Sequence, residues 1–244
     1  KGDAPVIPPF RRTGFLVLLL LLFLSEAFFC EGATVYRVSR EDVTGPRDGS
    51  SWNRALDEAR FVDKLADTGL TDVEFWIAKG FYRPTTGDDR NKSFVLRKGV
   101  SLYGGFKGNE NDRSRRDPKE NETRLTGAIN GSASYHVVWF ANDADETTVL
   151  DGVIVTGGRA DDTLTLSSKY GGGIYNDGGS PVITNCEIVG NKARSGGAGM
   201  YSREGNPVIQ NCFFRSNTVT MGLGGALFCR DGGLEVRDTA FLGN

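Results

Sequence analysis

The sequence predicts an all-β chain, a single-stranded right-handed parallel β-helix with an N-terminal helical cap. Three observations predict it. A unit recurs: Pro181, Asn185, Cys186 and Asn191 return 26 residues later as Pro207, Asn211, Cys212 and Asn217, and 27 residues further on as Leu234, Asp238, Thr239 and Asn244. A period of that length marks a repeat architecture. Each unit holds three short β-prone pieces, "GIY", "PVIT" and "CEIV" in one and "GMY", "PVIQ" and "CFFR" in the next, with no stretch long enough for a helix. The chain also carries 33 glycines among its 244 residues, which favours frequent tight turns.

Taken in order, the N-terminus comes first. "KGDAPVIPPFRR" supplies a basic end, Phe15–Leu24 an uninterrupted apolar run, and "SEAFFCEGA" small residues after it. This is the pattern of a secretory signal peptide over residues 1–27, with Ser25 and Ala27 at the −3 and −1 positions. A later cut near Cys30 is the second option, and "EAFFC" lacks the small residues of a lipidation site. The run is too short to span a bilayer, which takes about 20 apolar residues. No transmembrane helix is expected in the mature chain.

Residues 28–147 read as the cap and irregular first coils. "SSWNRALDEARFVDKLA" at 50–66 begins with a Ser N-cap option and sets Trp52, Leu56, Ala59, Val62 and Leu65 near helical spacing. A helix there would cover the first rung, whose open edge otherwise invites association; a partner-binding element is the other reading. "VEFWIA", "SFVLR", "VSLYGG", "RLTGA" and "HVVWFAN" follow as strands, and the polar stretch from Lys107 to Thr123 as a projecting loop.

Residues 148–244 are the repeats, with an earlier stretched copy in "TVLDGVIVTGG" and an array expected to continue beyond the end. In "VITNCEIV" strict alternation fails at Asn185, and a sharp bend there lets Ile183, Cys186 and Ile188 all face inward. Coils stack about 4.8 Å apart, so equivalent residues superpose. Asn185, Asn211 and Asp238 then form one ladder, extended by Asp151, and Asn191, Asn217 and Asn244 a second. Ile188, Phe214 and Phe241 stack as an apolar column. Cys186, Cys212 and Thr239 stack as another, with the two cysteines read as buried thiols because the coil spacing exceeds the ~3.8 Å between β-carbons that a disulfide prefers.

"GGAL" at 224–227, "FLGN" at 241–244 and "FRSN" at 214–217 resemble the repeats of chlamydial-type polymorphic outer-membrane proteins, although "GGGI" and "IVGN" in the first copy depart from the pattern. The segment from "GSSWNRALDEA" through "TVLDGVIVTGG" is similar to the start of secreted bacterial right-handed β-helix repeat proteins of the pectin-lyase-like fold. The resemblance implies that fold and export to the outside or the outer-membrane surface. It is weak for activity, since such proteins include adhesins, surface proteins and polysaccharide-active enzymes.

The residues themselves offer little catalytic chemistry. The formal charge of −2 gives no reason to expect nucleic acid. The single histidine, His136, lies in the apolar string "YHVVWF" and reads as structural; no G-x-S-x-G accompanies it. Acid pairs occur at Asp88–Asp89 and Asp161–Asp162, yet nothing sets two carboxylates across a groove as glycosidase chemistry needs. No metal ligand set is visible, and calcium, which wants six to eight oxygens from several segments, is unsupported. No cofactor is expected. The insertion "RADDTLTLSSKY" reads first as a solvent loop; ligand contact, if the chain makes one, is expected there, through Asp161, Asp162, Lys169 and Tyr170. Asn91, Asn121 and Asn130 match N-glycosylation acceptors, which carry no meaning in a bacterial protein.

The expectation is an exported surface protein with an adhesion or structural role, its partner a polysaccharide or a host or matrix surface. A polysaccharide lyase or hydrolase, or a non-catalytic part of one, is the alternative.

Overall fold

A computed structural model describes residues 32–244. The segment read as a signal peptide, with Cys30, lies outside the described residues. Among them no helix is long and apolar enough to cross a membrane.

The described chain winds as a parallel β-solenoid. Its first wall has seven strands in the order Thr34–Val38, Val73–Ala78, Val100–Phe106, Val149–Asp151, Val182–Thr184, Val208–Gln210 and Glu235–Arg237. A second wall of six strands runs from Gly80–Tyr82 to Ala240–Leu242, and a third of five from Phe94–Leu96 to Leu227–Arg230. Pairing within each wall is parallel and nearly all in register. Three of the coils carry one piece more than the three expected: Arg159–Ala160, Lys192–Ala193 and Thr218–Val219 form a short fourth wall. At two residues each they are too short for alternation to show, and Arg159–Ala160 and Lys192–Ala193 carry no β-branched or aromatic residue, which is why the sequence does not reveal them.

Alternation sends one set of side chains inward. Phe75, Leu102, Leu150, Ile183 and Ile209 stack through the first wall, and Tyr82, Leu125, Val155, Ile188 and Phe214 through the second, all fully buried. Between these walls the backbone bends at Asn185, Asn211 and Asp238, with φ of 52°, 51° and 44°. L-residues visit that left-handed region at a cost of about 1–2 kcal/mol, least for Asn and Asp, and the corresponding place one coil earlier is Gly152. The bend puts Ile183, Cys186 and Ile188 on the same interior side.

At the next corner the buried residues Asn191 and Asn217 and the terminal Asn244 stack by side-chain hydrogen bonds. The exposed residues Asn185, Asn211 and Asp238 do not. Of the three, Asn185 makes a side-chain hydrogen bond, from its Nδ2 to Asp151 Oδ1 at 2.8 Å, and the role of the others is the left-handed bend itself.

The helix, α1, is shorter than 50–66. It covers Glu58–Leu65, with a separate 3-10 turn at Trp52–Arg54. Asp57 rather than Ser51 caps it, its carboxylate accepting the Arg60 N–H at 2.9 Å. The buried stripe is Phe61 and Leu65, and Ala59 is exposed. Phe61 packs on Phe75, Tyr82 and Phe94, one residue from each of the three long walls.

The stretch from Lys107 to Thr123 does not project. It folds back as a strap over the outer face of the first wall. Trp52 Nε1 donates to Glu110 O at 2.7 Å, Asp117 N–H donates to Gly105 O at 2.8 Å, and Arg113 pairs with Glu74.

Candidate functional site

The strap lines a groove of about 970 Å³ against the outside of the first wall. Because Val73, Phe75 and Ile77 turn inward, Glu74 and Trp76 turn out into it. Trp76 stacks on Phe106 at 5.0 Å and has Arg37 over its ring at 5.2 Å, and Arg113 lies over the neighbouring Tyr103 ring at 4.3 Å.

Arg116 anchors the strap. Its Nη2 donates to Asp151 Oδ2 at 2.5 Å and its Nη1 to Gly104 O at 2.9 Å, with both charged side chains almost wholly buried. Asp151 in turn accepts from Asn185, so a chain of bonds links the strap to the corner of the next coil. Lys119, Asn185 and Asn211 border both this groove and a smaller hollow of about 280 Å³ at the corner, which makes one continuous channel.

The acids of the groove are all engaged. Glu74 holds Arg113 and accepts from Trp76 Nε1 at 2.7 Å. Asp112 accepts from the Ser114 hydroxyl and N–H, which hold its carboxyl below the usual range. Asp117 accepts from the N–H groups of Lys119 and Glu120. Lys119 has no ion pair among the described residues, and Asn211 makes no side-chain hydrogen bond there.

The insertion does not gather its four predicted residues into one site. Asp161 turns toward Arg90 and Arg159, 2.6 Å from each; burial pushes its carboxyl up, but the two guanidinium groups outweigh this and hold it low. Asp162 faces its own turn, where the N–H groups of Leu164, Thr165 and Thr163 bring it down to about 2. Tyr170 joins an aromatic stack with Tyr201, at 4.6 Å, and Phe228. Lys169 accepts the Ser195 N–H on its backbone carbonyl. Of the other acid pair, Asp89 caps the turn at Asn91 and Asp88 is exposed.

His136 is buried, with Nδ1 2.8 Å from Gly171 O and its ring against Trp139 and Tyr175. Burial lowers it to about 4, so it is neutral near pH 7. Cys186 and Cys212 are free thiols in the core, and burial pushes the Cys186 thiol up. Among the described residues no three His, Cys, Asp or Glu side chains gather into a metal-sized cluster.

The strap residues escape a reading of the sequence because "RSRRDPKENETR" has mixed charges and looks solvated. Their partners, Glu74 and Asp151, lie 39 and 35 positions away. Comparison of the chain with protein-family models, with curated proteins and with solved structures finds no match in any of the three.

Proposed function

We propose that this chain is an exported, surface-associated β-solenoid with an adhesive role, contacting a polysaccharide along the channel under the strap. The observation that carries the reading is the state of the acids. Every carboxylate of the groove and of the insertion is held in an ion pair or a turn. General acid–base work on a glycosidic bond requires two that are available across a groove. What the channel offers instead is hydrogen-bonding capacity. Asn111 and Asn211 line it, Asn185 keeps its carbonyl oxygen, and Lys119 supplies a cation. Carboxamides and one cation in a concave setting suit a polyhydroxylated chain. Export and surface placement rest on the N-terminal pattern and on the resemblance of the repeats to outer-membrane repeat proteins.

The test is a panel of immobilised neutral and acidic polysaccharides, read for binding and for release of reducing ends or unsaturated products. Binding without release is expected, weakened about tenfold by replacing Lys119 and Asn211 with Ala. Turnover abolished by Asp161→Ala with Asp162→Ala would instead establish a lyase or hydrolase. Absence of binding across the panel, with binding to host cells or matrix retained, would move the adhesive contact to a protein.

A further inference from the structure

Four of the eight large apolar side chains that the described residues leave exposed stand at one corner of the solenoid. They are Leu164, Leu166, Met221 and Leu223, from 64% to 88% exposed. The corner is where the short wall hands over to the third wall, and three successive coils meet there. Ser195 N–H donates to Lys169 O, and Leu223 N–H donates to Ser195 O. Tyr170, Gly196 and Leu223 bridge in parallel. The middle coil passes through Ser195, Gly196 and Gly197, whose small side chains leave the leucine- and methionine-bearing loops standing on either side, about two coil spacings or ~10 Å apart.

Charge at this corner is one-sided. Lys169, Lys192 and Arg194 have no carboxylate partner among the described residues. The two acids present are occupied, Asp161 by Arg90 and Arg159 and Asp162 by backbone N–H groups. Since the whole chain carries −2, the attraction this corner exerts on an anion is local.

We propose that this corner docks on an anionic lipid bilayer surface, with Leu164, Leu166, Met221 and Leu223 entering the boundary between headgroups and acyl chains and Lys169, Lys192 and Arg194 pairing with lipid phosphates. Apolar side chains flanked by unpaired cations are what such a surface retains. The apolar groups stand singly on loop tips rather than forming a flat patch. A bilayer takes up protruding side chains without shape complementarity, whereas a protein partner needs a matched surface. This placement is independent of the channel under the strap.

The experiment is amide hydrogen exchange of the full chain with vesicles of phosphatidylcholine alone or mixed with phosphatidylglycerol. Slowed exchange in 161–173 and 220–226, on the anionic vesicles only and reversed by salt, is expected. A site-specific readout is required because the apolar run at 15–24 can hold the full chain on vesicles by itself. Joint replacement of the four apolar residues by Ser should weaken the protection more than about tenfold in vesicle concentration, as should Lys169→Glu with Lys192→Glu and Arg194→Glu. All seven positions lie at the surface, and a retained circular dichroism spectrum confirms folding. A chain that does not bind, or binds with unchanged exchange in these loops, overturns the proposal. Equal protection on uncharged vesicles overturns its electrostatic half, and equal protection of the Ser variant overturns its apolar half.

Discussion

Asn217 holds Asn191 twice: its Oδ1 accepts the backbone N–H and the Nδ2–H of Asn191, each at 3.1 Å. Its own Nδ2 donates to Ile188 O and to Asn244 Oδ1, each at 2.8 Å, and the residue is fully buried. A polar group with all its partners inside a low-dielectric core contributes most through what its loss leaves unsatisfied. Asn217→Ala is expected to cost about 3 kcal/mol. Asn211→Ala, at an exposed bend with φ of 51°, should cost about 1 kcal/mol, and Asn211→Gly close to nothing. Urea midpoints of the three variants check this. Equal losses for the two alanine variants would remove the distinction between the two asparagine corners.

The strap depends on Arg116 and Asp151. Removing the carboxylate strands a nearly buried guanidinium, so Asp151→Ala should lose about 3 kcal/mol. It should also speed tryptic cleavage between residues 107 and 122. A double-mutant cycle with Arg116→Ala measures the coupling; additive losses would show that the strap is held by the Trp52–Glu110 and Arg113–Glu74 contacts instead.

His136 sets an acid limit. Its folded form titrates at about 4 and its unfolded form near 6.5, so the unfolded chain binds the proton first. The stability that neutral His136 contributes is whole above about pH 6.5 and is lost as pH falls toward 4, by up to about 3 kcal/mol. His136→Asn should flatten unfolding free energy against pH in that window. Asp162, held at about 2, acts below it, since its contribution is present above its usual value of 3.8 and fades under that. A wild-type profile already flat from pH 6.5 to 4 would contradict the buried, neutral imidazole.

Gly158 marks where backbones touch. A β-carbon there would fall onto the carbonyl oxygen of Gly172 in the next coil, a neighbour that cannot rotate away. Gly158→Ala is therefore expected to leave little folded protein. Gly131→Ala, with φ of 69° in a hairpin tip and nothing within 4 Å, should cost only about 1 kcal/mol. Soluble yield and melting temperature distinguish the two.

The coil period was legible because the residues that repeat are the ones that bend or stack. Asn185 and Asn211 sit at left-handed turns, Cys186 and Ile188 point inward, and these positions recur at the spacing of the walls. The helix starts later than the Ser cap at 50–51 suggests because Asp57 accepts the first-turn N–H and Phe61 packs against three walls, contacts that the spacing alone does not show. The groove was not legible at all. It exists because Arg113 and Arg116 find acids on earlier and later coils, and pairing at that separation leaves no periodic trace.

The short fourth wall has a consequence for how this chain varies. Ala160 and Ile174 are 14 positions apart where Ala193 and Met200 are seven apart, yet both pairs stay in register with their neighbours. The whole difference is absorbed outside the wall. Doubling the length of such a segment costs only about 0.6 kcal/mol in closure entropy. The corner is thus a port at which peptide can be added or exchanged while the stack beneath is untouched, so what the molecule displays outward can change faster than the frame that displays it.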